Sequence, residues 1–340
     1  MASSPVATSE NSSAGRNAQH KMSSRTFSFA DRWKLQELAG PLDENLQSIE
    51  DLTGTKINRQ SLEIKVHGEP GVTKMVEDNM RDIYRRIECG EEISASLINS
   101  VFKMFNEPKL DGIIPANDPV SNISIRTRRK TIHPRSIAQG SYMRSLASAD
   151  MTFGLGPAGT GKTYLAVAQA VSMLVSGEVK RLVISRPAVE AGEKLGFLPG
   201  DMKEKVDPYL RPIYDALYDC LPPEQAERKI EAGEIEVAPL AFMRGRTLSE
   251  AFIILDEAQN TTPAQMKMFL TRFGEGSRMV VCGDPNQTDI PGGPSASGLA
   301  DAVKRLSDVE GINFCRFGAE DVVRHAIVGR IVKAYDDPSL

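Results

Sequence analysis

Gly156-Pro157-Ala158-Gly159-Thr160-Gly161-Lys162-Thr163 stands between an apolar run, Met151–Leu155, and a stretch of helical composition, Tyr164–Gly177. The octapeptide satisfies the spacing G-x-x-x-x-G-K-[ST], with a strand expected before it and a helix after it. Glycines let successive backbone N–H groups turn inward around phosphate oxygens, and the helix N-terminus adds its dipole. In such a loop Lys162 reaches the outer phosphates of a nucleotide, and the hydroxyl of Thr163 joins the shell of a Mg²⁺ ion. The chemistry expected of residues 156–163 is therefore the binding of Mg-ATP.

That site needs a carboxylate, and Ala251–Asn260 (AFIILDEAQN) supplies two at the end of an apolar run. Asp256 fits the Mg²⁺ shell, and Glu257 fits the group that orients or deprotonates an attacking water. A glutamate directly after the aspartate favours hydrolysis over transfer to a bound acceptor. Met279–Asp289 (MVVCGDPNQTD) reads as a further strand, expected beside that of Asp256. Its Gln287 would then touch the γ-phosphate. Asp284 is close by, and Asp284–Gln287 also reads simply as a turn around Pro285.

Elements of one kind must carry these groups to one edge. Short apolar runs at 151–155, 181–185, 234–238, 252–255, 279–282 and 312–317 alternate with helix-length segments. That alternation predicts βαβ units, a parallel sheet buried on both faces and an α/β fold. Ligands of such sheets bind at the carboxyl ends of the strands.

A chain of 340 residues suggests two domains, and a net charge of −4 argues against coating nucleic acid by bulk charge. The four cysteines (Cys89, Cys220, Cys282, Cys315) are scattered and read as reduced thiols of a cytoplasmic protein. His133 and His325 lack partners at metal spacing, so Mg²⁺ arriving with ATP is the metal expected. No apolar run approaches the ~20 residues of a membrane span. Residues 1–25 are expected as a disordered tail, 26–107 as a small α+β domain, 108–122 as a linker and 123–340 as the P-loop domain.

Taken together, GPAGTGKTYLA, SRPAVEAGEKLGFLPGD, FMRGRTL, DEAQN and GDPNQTD resemble the PhoH-like proteins over about residues 126–335. The resemblance implies a P-loop ATPase with a single RecA-like core, related to the first such domain of superfamily 1 helicases. It implies links to RNA metabolism and to phosphate starvation. It extends to IHPRSIAQGSYMRSL, which precedes the P-loop as a helicase Q-motif does, so Gln139 would hold the adenine edge. Read from the residues alone, Gln139 is a polar residue at a helix start. Such helicases enclose ATP between two RecA-like domains, and this chain has room for one. A homo-oligomer, such as a ring, would supply the missing wall and an arginine finger. Candidate fingers are Arg244, Arg246, Arg324 and Arg330, with Arg324 placed first. Arg186 would point toward substrate or phosphate.

Residues 42–86 read as helix, strand, strand, helix and resemble the KH module of RNA-binding proteins. Where that module carries its GxxG loop, this chain has Gly40-Pro41-Leu42-Asp43, whose acid would repel phosphate. Arg126, Arg128, Arg129, Lys130 and Arg135 form a basic cluster able to contact a phosphate backbone, or else a solvated entry to the core. Single-stranded RNA is thus an expected partner beside ATP. Two other readings compete with hydrolysis: phosphate transfer to an acceptor, and a nucleotide-dependent switch or assembly protein that turns over little.

Overall fold

A computed structural model describes residues 22–88, 93, 97–98, 101–102, 123–187 and 202–322. The chain divides into two compact units, Met1–Phe105 and Asn106–Leu340.

In the first unit, strands β1 (Ser23–Ser28), β2 (Lys56–Gln60) and β3 (Glu63–Gly68) form an antiparallel sheet in the order β1-β3-β2. Helices α1 (Arg32–Ala39), α2 (Glu44–Thr53) and α3 (Pro70–Glu88) accompany it. The expected helix–strand–strand–helix order is present, and α2 stops where Gly54 turns left-handed. Ile64 and Val66 alternate inward with Glu63 and Lys65 outward, so β3 lays one face on a core that includes Leu35, Leu38, Ile49 and Ile83. The first strand opens at Ser23, inside the stretch expected as a tail. Of its six residues only Phe27 is buried, so it leaves almost no alternating signal. At the GxxG position Leu42 and Asp43 have φ of 50° and 60°, and Arg59 pairs with Asp43 at 2.8 Å.

In the second unit, all six expected runs are strands of one parallel sheet: β6 (Met151–Leu155), β7 (Arg181–Arg186), β8 (Ile235–Pro239), β9 (Ala251–Leu255), β10 (Arg278–Gly283) and β11 (Ile312–Arg316). The order is β11-β6-β10-β9-β7-β8. Strand β9 feeds two cores: Phe252 and Ile254 face one, Ile253 and Leu255 the other, which is why its run is unbroken apolar rather than alternating. A short hairpin, β4 (Ile125–Arg126) and β5 (Thr131–Ile132), and helix α4 (Ile137–Ser148) precede β6. Helix α5 (Lys162–Ser176) follows it, α6 (Met202–Cys220) and α7 (Pro223–Glu231) join β7 to β8, and α8 (Pro263–Leu270) and α9 (Gly298–Leu306) flank β10. This parallel sheet with helices around it, and the phosphate loop leaving β6, form the α/β core of a P-loop NTPase. Strand β10 lies between β6 and β9, so the loop leaving β6 and the acids leaving β9 emerge on one edge, one strand apart.

Candidate active site

Residues 156–163 turn from β6 into α5. Gly156 has φ of 142°, and a Cβ built there would lie 2.4 Å from the Phe317 carbonyl oxygen, so only glycine fits. Gly161, at φ of 85°, turns the chain into the helix, whose first residue is Lys162. The loop closes on its own lysine: Lys162 Nζ donates to the carbonyls of Gly156 at 2.6 Å and Pro157 at 2.8 Å, and to Thr160 Oγ1 at 3.3 Å. Burial holds the Lys162 ammonium below the ordinary lysine range, against the pull of Asp284, Glu257 and Asp256.

Across the edge, Thr163 Oγ1 donates to Asp256 Oδ1 at 2.6 Å. Asp256 is only 5% exposed; burial raises its pKa above the usual carboxylate value, against the Thr163 hydrogen bond. A desolvated carboxylate beside a hydroxyl is a hard-oxygen pair short of positive charge, which suits Mg²⁺. Among the described residues no group of three or more metal-ligating side chains gathers anywhere, so the pair fits an ion that keeps phosphate and water oxygens as its other ligands.

Glu257 follows in the left-handed region, φ 51° and ψ 41°. Its Oε1 accepts from Arg186 at 3.2 Å and its Oε2 from Gln259 Nε2 at 2.5 Å. Gln259 is buried, and its own Oε1 accepts from the Asp284 N–H at 3.2 Å, tying the β9 acids to the β10 turn. In that turn the Gln287 N–H donates to the Asp284 carbonyl, so the simple turn around Pro285 is present; its side chain lines the same cavity as Lys162. The cavity holds about 670 Å³, within the range of small-ligand pockets, and runs from the loop past Tyr164 to Pro212, Asp215 and Asp219 of α6.

The profile of the PhoH-like protein family matches residues 131–336. The chain belongs to the PhoH family. A PhoH-like protein of Mycobacterium bovis is 46% identical over 299 residues, covering 88% of this chain and 84% of that one. A PhoH-like protein of Bacillus subtilis is also 46% identical, over 88% of this chain and 93% of its own. Protein PhoH of Escherichia coli is 47% identical over 203 residues, 59% of this chain and 57% of that one. Membership of the PhoH family and the P-loop core make this a nucleotide-binding protein of the ATPase type.

Of the residues expected to act, the fold gathers Gly156–Thr163, Asp256, Glu257 and Gln287 at one edge. Gln139 touches the phosphate loop itself. It is the N3 residue of α4, 4% exposed, capped by Ser136; its Nε2 donates to the Thr160 carbonyl at 3.0 Å and its Oε1 accepts from the Arg135 N–H at 2.7 Å. Its amide braces the phosphate loop from behind. Arg246 makes two 2.7 Å bonds to Glu236 within the chain, which gives it a structural partner, whereas Arg244 is exposed. Arg324 and Arg330 lie outside the described residues, as does most of SRPAVEAGEKLGFLPGD. In the basic cluster, Arg129 donates to the Tyr218 carbonyl, and Lys130 pairs with Asp219 and lies 5.4 Å over the Tyr164 ring. Tyr164 also donates to Asp219 at 2.9 Å. Sequence reasoning missed Gln259, Tyr164 and Asp219. Gln259 is the one that had a signal, as the second residue after Glu257 in DEAQN.

Proposed function

We propose that this protein binds Mg-ATP in the cradle of residues 156–163 and hydrolyses it. The observation that carries the reading is the Thr163–Asp256 contact, with Glu257 next in the chain on the same cavity wall. Gly159–Gly161 present backbone N–H groups to the phosphates, and Lys162 exchanges its carbonyl partners for phosphate oxygens. Mg²⁺ when bound supplies charge neutralisation on the phosphate oxygens. Thr163 and Asp256 would hold it, Glu257 orients water and takes its proton, and Gln287 meets the γ-phosphate end of the cavity.

The wider reading is a cytoplasmic ATPase acting on RNA, in the phosphate-starvation setting that the family name suggests. A homo-oligomeric ring would place an arginine, Arg324 or exposed Arg244, against the γ-phosphate of a neighbour. The exposed side chains of Arg126, Arg128 and Arg135 support contact with a single-stranded RNA backbone. A second reading, a nucleotide-dependent switch with little turnover, draws support from the engagement of both Glu257 carboxylate oxygens.

Steady-state phosphate release with and without single-stranded RNA, against Lys162→Ala as the blank, tests this. RNA-stimulated turnover that vanishes in the variant supports an RNA-coupled ATPase. Turnover indifferent to RNA removes the RNA partner. Nucleotide binding without turnover in an oligomeric preparation refutes hydrolysis and leaves the switch.

A further inference from the structure

A base can serve an attacking water only when its carboxylate is free to face that water. Glu257 is not. Arg186 holds one oxygen and Gln259 the other, and the residue is kept at φ 51°, a backbone state that persists only where its surroundings impose it.

The two holders differ. Gln259 is 5% exposed and fixed from behind by the Asp284 N–H and by Thr288 and Ser297, which donate to its carbonyl. Arg186 reaches in from the end of β7, the strand beside β9, with a side chain 20% exposed at the cavity wall. Of the two holders it is the more exposed. It also stands 3.9 Å from Asp256 Oδ2. A cation arriving at Thr163 and Asp256 would repel the guanidinium.

We propose that Arg186 is a latch on Glu257: it holds the carboxylate aside in the nucleotide-free protein, and its release, favoured by Mg-ATP, frees the base. Arg186 is then a positioning residue that restrains turnover. The proposal rests on the hydrolysis reading above.

The test uses the full chain with Arg186→Ala, Arg186→Gln and Arg186→Lys, folding checked by circular dichroism. Expected is a rise in kcat for Mg-ATP of roughly three- to tenfold in Ala and Gln, the size of one partly exposed charge-assisted bond, with KM within about twofold and Lys falling between. Adding Glu257→Gln to Arg186→Ala should erase the rise. A readout apart from turnover is the ratio of affinities for ADP and a non-hydrolysable ATP analogue, which the latch predicts to be unchanged. If kcat falls and only the analogue binds more weakly, Arg186 is a phosphate ligand and the latch is overturned. An unchanged kcat overturns it as well. If wild type and all three variants bind nucleotide and none turns it over, the hydrolysis reading fails and the latch falls with it; the other refutations require a wild type that turns over.

Discussion

Replacing Asp256 by Asn should stabilise the nucleotide-free protein while abolishing its turnover. The carboxylate is 5% exposed, it accepts from the Thr163 hydroxyl at 2.6 Å and from the Glu257 N–H, and its nearest cation, Arg186, is 3.9 Å away. Desolvating a carboxylate costs several kcal/mol, its charge-assisted bonds return about 1.5–3 kcal/mol each, and the raised pKa shows that burial still outweighs them. Asparagine keeps an oxygen for Thr163 and removes the buried charge. The net gain is about 1 kcal/mol, or a rise of roughly 2–4 °C in Tm for a unit of this size. Because burial raises the folded-state pKa of Asp256, the folded protein takes up this proton more readily than the unfolded chain. The penalty is therefore full well above the folded pKa and disappears as pH falls through it toward the ordinary carboxylate value. Thermal unfolding of both proteins in EDTA, from pH 8 down to about pH 4, measures this. The gap should be widest at pH 8 and narrow on acidification, while phosphate release falls by a factor of about 100 or more. An Asn variant less stable than wild type at pH 8, or a gap that ignores pH, would refute the reasoning.

Two further changes probe the loop. Gly156→Ala combines a φ of 142° with a Cβ 2.4 Å from the Phe317 carbonyl oxygen, and should cost about 3 kcal/mol. Urea unfolding should show a midpoint lowered by roughly 1 M, and an unmoved midpoint would mean the loop yields easily. Gln139→Ala removes the bonds to Thr160 and Arg135, leaving buried groups unpaired at about 1–3 kcal/mol. If Gln139 braces the loop, affinities for ATP and GTP should fall by the same factor in a fluorescence titration. A loss confined to ATP would instead assign it to the adenine edge.

What was legible in the sequence follows from what burial demands. A parallel strand covered on both faces must be apolar throughout, so Phe252-Ile253-Ile254-Leu255 announced itself, and with it the position of Asp256. The phosphate loop was legible because backbone geometry leaves few residue choices at Gly156 and Gly161. Strand β1 was not, because an edge strand with one buried residue, Phe27, carries no period. The contact of Gln139 with the phosphate loop was hidden for another reason. A helix N3 glutamine looks the same in sequence whether its amide faces a ligand or the carbonyl of Thr160, twenty-one residues away. The same holds for Arg186, whose partners lie seventy and seventy-one positions on, brought near only because β7 and β9 are neighbours.

The ammonium of Lys162 is coordinated by the carbonyls of Gly156 and Pro157. The loop is thus its own competitor, an intramolecular ligand at a fixed effective concentration that no dilution removes. A measured affinity for ATP is the difference between two liganded states of one lysine, not the strength of either. Association should therefore saturate: at high nucleotide concentration the observed rate levels off at the rate at which Lys162 lets go of its own backbone.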